Sequence, residues 1–200
     1  MSYALAIVGG YLAGSIPTGY WLVRAARGVD IRTVGSGNMG GSNVWRAYGP
    51  TLGLPVIVVD TAKGFVPALL ATLLASHLVG VVAGGAAMFG HSRPLFLRWQ
   101  RGGKMVATCG GAFLGVAPVV GAIGTGVWIA AFLVFRYASV ASMAAACSLP
   151  LVAALLREPW PVIGFAGAAA VAVVALHRTN IARLRAGTES RSRFRRAARA

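Results

Sequence analysis

The chain has 200 residues, of which 57% are apolar and only 12% charged, and nineteen Lys and Arg against four Asp and Glu give a net charge of +15. Apolar residues and glycine together make up about 70% of it, against roughly 45–50% in soluble domains. Those figures exclude a soluble globular enzyme and a disordered basic arm, and they point to an all-α polytopic membrane protein with basic loops.

Tyr3–Val23 is the first predicted span, ending at Arg24. No Lys or Arg precedes it, so it lacks the basic leader of a cleaved signal peptide and is expected to stay as a span. A polar, Gly-rich segment follows to about Pro50. Thr51–Ser76 is the second span, interrupted by Asp60 and Lys63, which lie one helical turn apart and read first as a buried ion pair. Leu78–Leu97 is the third, with Arg98, Arg101 and Lys104 beyond it. Met105–Phe135 carries no charge and has Pro118 near its middle, so a tight pair of short or tilted helices is expected. Ala138–Leu156 and Trp160–Leu176 complete the set, before a basic tail. No internal repeat is evident. Cys109 and Cys147 lie in apolar stretches and read as small buried side chains.

With seven spans, seventeen of the nineteen cations fall on one face. Arg157 lies opposite and Lys63 lies within the membrane. The positive-inside rule then puts the N-terminus outside and the tail in the cytoplasm. Residues 1–183 form the membrane domain and 184–200 a basic cytoplasmic tail in this reading. Nucleic acid is not an expected partner, because no recognised binding spacing accompanies the charge.

Four polar clusters converge on the cytoplasmic face. Val34–Arg46 (VGSGNMGGSNVWR) combines glycines, which let backbone N–H groups approach a ligand, with Ser, Asn and Arg donors, as a phosphate cradle requires. Gly35–Gly40 also fits the G-x-G-x-x-G dinucleotide pattern, but the βαβ unit which that pattern needs is absent. Gly90–Thr108 places Gly102, Gly103 and Lys104 at a helix start, with His91 near the membrane end. Arg136–Ser142 puts Ser139 and Ser142 on one helical face, and His177 and Asn180 share another. No acyltransferase His-x-x-x-x-Asp box and no Ser-His-Asp order is present, so a transfer here must rely on positioning and charge stabilisation.

These segments resemble the bacterial acyl-phosphate:glycerol-3-phosphate acyltransferases, the PlsY family. Gly35–Arg46 is similar to that family's GSGNxGATNxxR loop. Asp60-Thr-Ala-Lys-Gly64, Arg136-Tyr-Ala-Ser-Val-Ala-Ser142 and His177-Arg-Thr-Asn-Ile-Ala-Arg-Leu184 are similar to its later motifs. The resemblance implies transfer of an acyl group from acyl phosphate to the 1-hydroxyl of glycerol 3-phosphate, giving lysophosphatidic acid and phosphate. It also implies seven spans, in a bacterial inner membrane, with the site at the cytoplasmic face. Ser36, Arg46, Lys104, His177 and Asn180 would carry the transfer. Gly35, Gly37, Asn38, Ser42, Asn43, Gly102, Gly103, Thr108, Ser139 and Ser142 would contact substrate. No metal or other cofactor is expected; the partners are the two substrates and membrane lipids. The chain departs from the family at Arg93, where Phe is usual, in one extra residue within Trp99–Gly102, and at Met105 in place of Gly. Lys104 is expected to reach the phosphate all the same, with Met105 lining the acyl groove. Two alternatives stay open: a divergent paralogue of low activity, and a transporter of a phosphorylated solute, which should carry repeats and midplane polar sites.

Overall fold

The protein is described by a computed structural model covering residues 2–192. The tail beyond residue 192, expected to be basic, lies outside the described residues. Among the described residues, ten α-helices occur in chain order: α1 (Tyr3–Gly14), α2 (Thr18–Arg27), α3 (Gly41–Tyr48), α4 (Pro50–Leu74), α5 (His77–Ser92), α6 (Val106–Val116), α7 (Pro118–Phe135), α8 (Ala138–Leu155), α9 (Trp160–Leu176) and α10 (Arg178–Arg185). Among the described residues, α4, α7 and α8 are long and apolar enough to cross a membrane, and α9 with α10 forms a pair bent by 55°.

Several boundaries differ from the sequence reading, each for a local reason. The first expected span breaks after Gly14, because Pro17 supplies no N–H and restricts Ile16. The chain resumes as α2, which turns its polar face outward and stops at Gly28, φ 69°. The third span ends at Ser92, ahead of Pro94, with Leu95–Leu97 forming a separate 3₁₀ turn. The uncharged stretch 105–135 does break, at Ala117, where Pro118 opens α7 with a residue that needs no helical donor. Cys109 is buried as expected, but Cys147 is exposed on α8.

Helix α4 runs through the middle, packed on α1, α2, α3, α5 and α6, while α7, α8 and α9 stack beyond α6. The principal core joins Phe113, Val116 and Val120 to Leu149, Val162 and Val173. Small residues bring α4 and α6 close: a Cβ at Gly64 would run into the carbonyl of Thr108, the kind of contact that replaces hydrophobic driving force inside lipid. The outer faces are apolar, with Leu73, Leu155, Trp160 and Val171 each more than 70% exposed. Water would not tolerate so continuous an apolar surface, whereas acyl chains do.

The polar segments gather at one end of the bundle. Asp30 caps the 3₁₀ turn Ile31–Thr33 and pairs with Arg32 at 2.7 Å. Arg32 then donates to Gln100 Oε1 at 2.6 Å, which ties the 98–104 loop to the first loop. Met105 takes the left-handed conformation, φ 66°, just before α6. A side chain there costs about 1–2 kcal/mol. Met105 is buried in the principal core, so its thioether packs against neighbours and does not line the cavity.

Candidate active site

The loop before α3 is built by one amide. Asn43 Nδ2 donates to the carbonyls of Val34 at 2.9 Å and Asn38 at 2.8 Å, and its Oδ1 accepts from Ser36 N at 3.0 Å. Asn38 Oδ1 in turn accepts from Gly40 N at 2.7 Å. Gly35 and Gly37 sit at φ 60° and 70°, which lets the chain reverse tightly over Asn43. The result is a rigid rim in which Ser36, Asn38, Ser42 and Arg46 border a cavity. The Arg46 guanidinium makes no hydrogen bond or ion pair within the described residues, so its five donors are free for a ligand.

The facing rim comes from four other segments. Lys104 Nζ donates to Asn180 Oδ1. Asn180 Nδ2 donates to Glu189 Oε1 at 2.6 Å, and Ser139 Oγ donates to the same oxygen at 2.7 Å. Arg183 closes the group on Glu189 Oε2 at 2.8 Å. Ser142 Oγ donates to the Ala138 carbonyl at 2.6 Å and accepts from Trp128 Nε1 at 3.1 Å. His177, just past the end of α9, donates its Nδ1–H to the Val173 carbonyl at 2.8 Å. That bond fixes the tautomer and leaves Nε2 with a lone pair.

Between these rims lies a cavity of about 340 Å³. Its mouth carries Arg46, Lys104, Ser139, Ser142, His177 and Asn180, and its interior is apolar, walled by Gly110, Leu114, Gly124, Ala145 and Leu149. All five residues expected to carry the transfer meet here. Five of those expected to touch substrate do not. The amides of Gly102 and Gly103 donate at 3.0 Å to the carbonyls of Ser92 and His91, and that of Gly37 to Val34 at 3.1 Å, so none is free for phosphate. Gly35 shapes the turn over Asn43 without reaching the wall. Thr108 is fully buried in the α4–α6 contact. Asn43 borders the cavity with its amide spent on the loop.

Sequence reading missed Glu189. The available signal was its rarity, as one of four acids in a chain of +15, placed shortly after His177 and Asn180. Asp60 and His91, left open from sequence, also border the cavity. The expected ion pair forms, with Lys63 Nζ 2.8 Å from Asp60 Oδ1.

Burial first, and then the nearby Arg183, push the Lys104 ammonium down to about 8, with Arg101 and Arg46 acting the same way and Glu189 opposing them. Burial opposes ionisation of Glu189, but hydrogen bonds from Arg183, Asn180 and Ser139 hold its carboxyl below the usual range. Burial likewise holds His177 below its ordinary value, and Lys104 adds to this. A neutral imidazole, an uncommitted guanidinium and an ammonium therefore surround the mouth of an apolar pocket. Such a site is suited to an amphipathic substrate with an anionic head and an alkyl tail.

Fold and site thus define a membrane-embedded enzyme acting on a phosphorylated amphiphile. Residues 4–187 match the family model described as glycerol-3-phosphate acyltransferase. The glycerol-3-phosphate acyltransferase of Desulforudis audaxviator is 46% identical, the match spanning 92% of this chain and 93% of that one. That of Geobacter sulfurreducens is 48% identical over 90% and 93%. The crystal structure of PlsY in its glycerol 3-phosphate form, an integral membrane glycerol 3-phosphate acyltransferase, superimposes with a TM-score of 0.92 at 37% identity, covering 96% of each chain. Its lysophosphatidic acid form gives a TM-score of 0.88 at the same identity. The chain belongs to the glycerol-3-phosphate acyltransferase family and is a multi-pass membrane acyltransferase.

Lys104 serves as a cation, so activity should fall as pH rises through about 8, where its ammonium loses a proton. Glu189→Gln removes the charge that supports the protonated form and should move that alkaline limb to lower pH. A kcat/KM profile between pH 6 and 10 checks both, since an unmoved limb would separate Glu189 from Lys104.

Proposed function

We propose that this enzyme transfers an acyl group from acyl phosphate to the 1-hydroxyl of glycerol 3-phosphate, releasing lysophosphatidic acid and phosphate. The observation that carries this reading is a cavity with cationic donors at its mouth and an apolar interior. The free guanidinium of Arg46, Ser36 and the N-terminal turn of α3 face one phosphate. Lys104, Ser142, His177 and Asn180 face the other substrate.

Acyl phosphate already contains a good leaving group, which is why no nucleophilic side chain is required. The glycerol hydroxyl forms a bond to the acyl carbon, the acyl C–O bond to phosphate breaks, and inorganic phosphate departs with the electron pair. The fixed tautomer of His177 presents Nε2 as an acceptor that orients the hydroxyl, but its basicity is held low. The proton therefore goes to a phosphate oxygen of the substrate, whose second ionisation lies near pH 6. Arg46 and Lys104 stabilise charge developing on the departing phosphate and on the acyl oxygen.

Seven crossings, with the N-terminus outside and the cavity mouth on the cytoplasmic side of a bacterial inner membrane, fit this reading. Residues 1–183 would then be the membrane domain and 184–200 the basic tail. The gathering of loop arginines at the cavity end supports the orientation through the positive-inside rule. A cysteine placed at Ser2 should react with an impermeant reagent in sealed cells, and protection there would reverse the topology.

The purified protein should convert palmitoyl phosphate with glycerol 3-phosphate, and turnover with palmitoyl-CoA alone would reject the donor. Arg46→Ala should lower turnover by about 10²-fold or more, as for loss of one transition-state donor. Arg46→Lys should recover only part, lacking the planar fork. Gly110 faces the apolar interior, and a Cβ built on it meets nothing within 4 Å. Gly110→Leu should therefore cost palmitoyl phosphate about tenfold in kcat/KM relative to decanoyl phosphate, matching roughly two methylenes of lost burial at about 0.8 kcal/mol each. An unchanged ratio would place the acyl chain elsewhere.

A further inference from the structure

Asp60 is out of place. It borders a cavity whose chemistry favours anions, where a carboxylate repels the ligand and is costly to bury. Lys63, 2.8 Å away, neutralises it and donates on to the Ile16 carbonyl at 2.9 Å. An ion pair kept only to join α4 to the α1–α2 turn has no need to face the cavity. A well-packed apolar pair at such a position is often as stable or more so.

The neighbour that explains Asp60 is His91 at the end of α5. Its side chain is 4% exposed, and Nδ1 lies 3.9 Å from Asp60 Oδ1. Nδ1 is buried and has no hydrogen-bond partner. Its opposite edge meets the 98–104 loop. The amides of Gly102 and Gly103 pair with the carbonyls of Ser92 and His91 at 3.0 Å, which lays the loop along the end of α5. Gly103 Cα rests on the imidazole so closely that any Cβ there would collide with the ring. Lys104 is the next residue. A ring that turned about its own axis would lift Gly103 and carry Lys104 with it.

We propose that Asp60 is a positioning residue for Lys104. Its carboxylate, held by Lys63, selects the His91 orientation and tautomer that carry the proton on Nδ1, and the ring so fixed is the seat for Gly103. Gly103 then acts by accommodating the imidazole, while Gly102 fits against the His91 carbonyl, and both amides are already spent. This extends the reading of Lys104 as a contact for glycerol 3-phosphate and rests on it.

The test replaces the buried pair as a unit, by Asp60→Leu with Lys63→Met, so that no unpaired charge remains. If the pair were structural alone, this variant would fold and work. Under the proposal it folds, its KM for glycerol 3-phosphate rises at least about tenfold, and kcat falls as well, because a displaced Lys104 no longer supports the developing charge. ¹⁵N-histidine spectra should then show His91 passing from the Nδ1–H form to a mixture of tautomers, with three histidines in the chain to assign. Asp60→Asn with Lys63→Met keeps a polar group beside His91 and should give a smaller rise in KM, and it serves in case the first variant fails to fold. A folded variant of either kind with wild-type KM, or an unchanged His91 tautomer, overturns the proposal. Calorimetric binding of glycerol 3-phosphate to Lys104→Ala separates the two readings. Undiminished binding there would reject Lys104 as the contact, while the His91 spectra still decide what Asp60 does.

Discussion

Positive charge that is left uncompensated at the mouth of an apolar cavity is the constraint around which this protein is organised. Cations in low dielectric repel one another and are stable only where acceptors and a few acids share the load. Here Glu189 is the acid at the mouth, and its two oxygens serve Ser139, Asn180 and Arg183 at once. It leaves Arg46 without a partner and Lys104 with only a neutral amide. That imbalance makes the cavity a phosphate site. Asp60, the other carboxylate on the cavity wall, is paired with Lys63; a further carboxylate beside Arg46 and Lys104 would have made a salt-bridged core with nothing left to bind.

The two loops at the mouth solve the same geometric problem by different means. The first is held from within, by the Asn43 amide across three backbone groups. The second is held from outside, by carbonyls at the end of α5, the His91 ring and the Arg32 grip on Gln100. Lys104 is thereby held where it borders the cavity. Met105 shows what that placement costs. Its backbone is left-handed without being glycine, and burial of its side chain in the principal core offsets the strain.

Membrane residence and catalysis also share their parts. α4 carries Gly64, which brings α6 close, and it carries Lys63 immediately before and Asp60 one turn before. Small side chains that let helices approach in lipid line the apolar end of the cavity as well. Their lack of bulk creates the space in which an acyl chain can lie.

Much of this was legible in the sequence because composition reports the solvent directly. A chain so apolar and so basic must put its helices in lipid and its loops in water. The break in 105–135 was readable from Pro118, and the clustering of Ser36, Arg46, Lys104, His177 and Asn180 from motifs that keep their spacing. Tertiary structure alone decided which polar groups remain free once the backbone has taken its share. The amides of Gly37, Gly102 and Gly103, and the side chain of Asn43, looked like ligand donors and are spent on the fold. Glu189 looked like tail and closes the site. Hydrogen-bond partners distant in the chain cannot be assigned from residue types, because each buried donor goes to whichever acceptor the packing brings within about 3 Å.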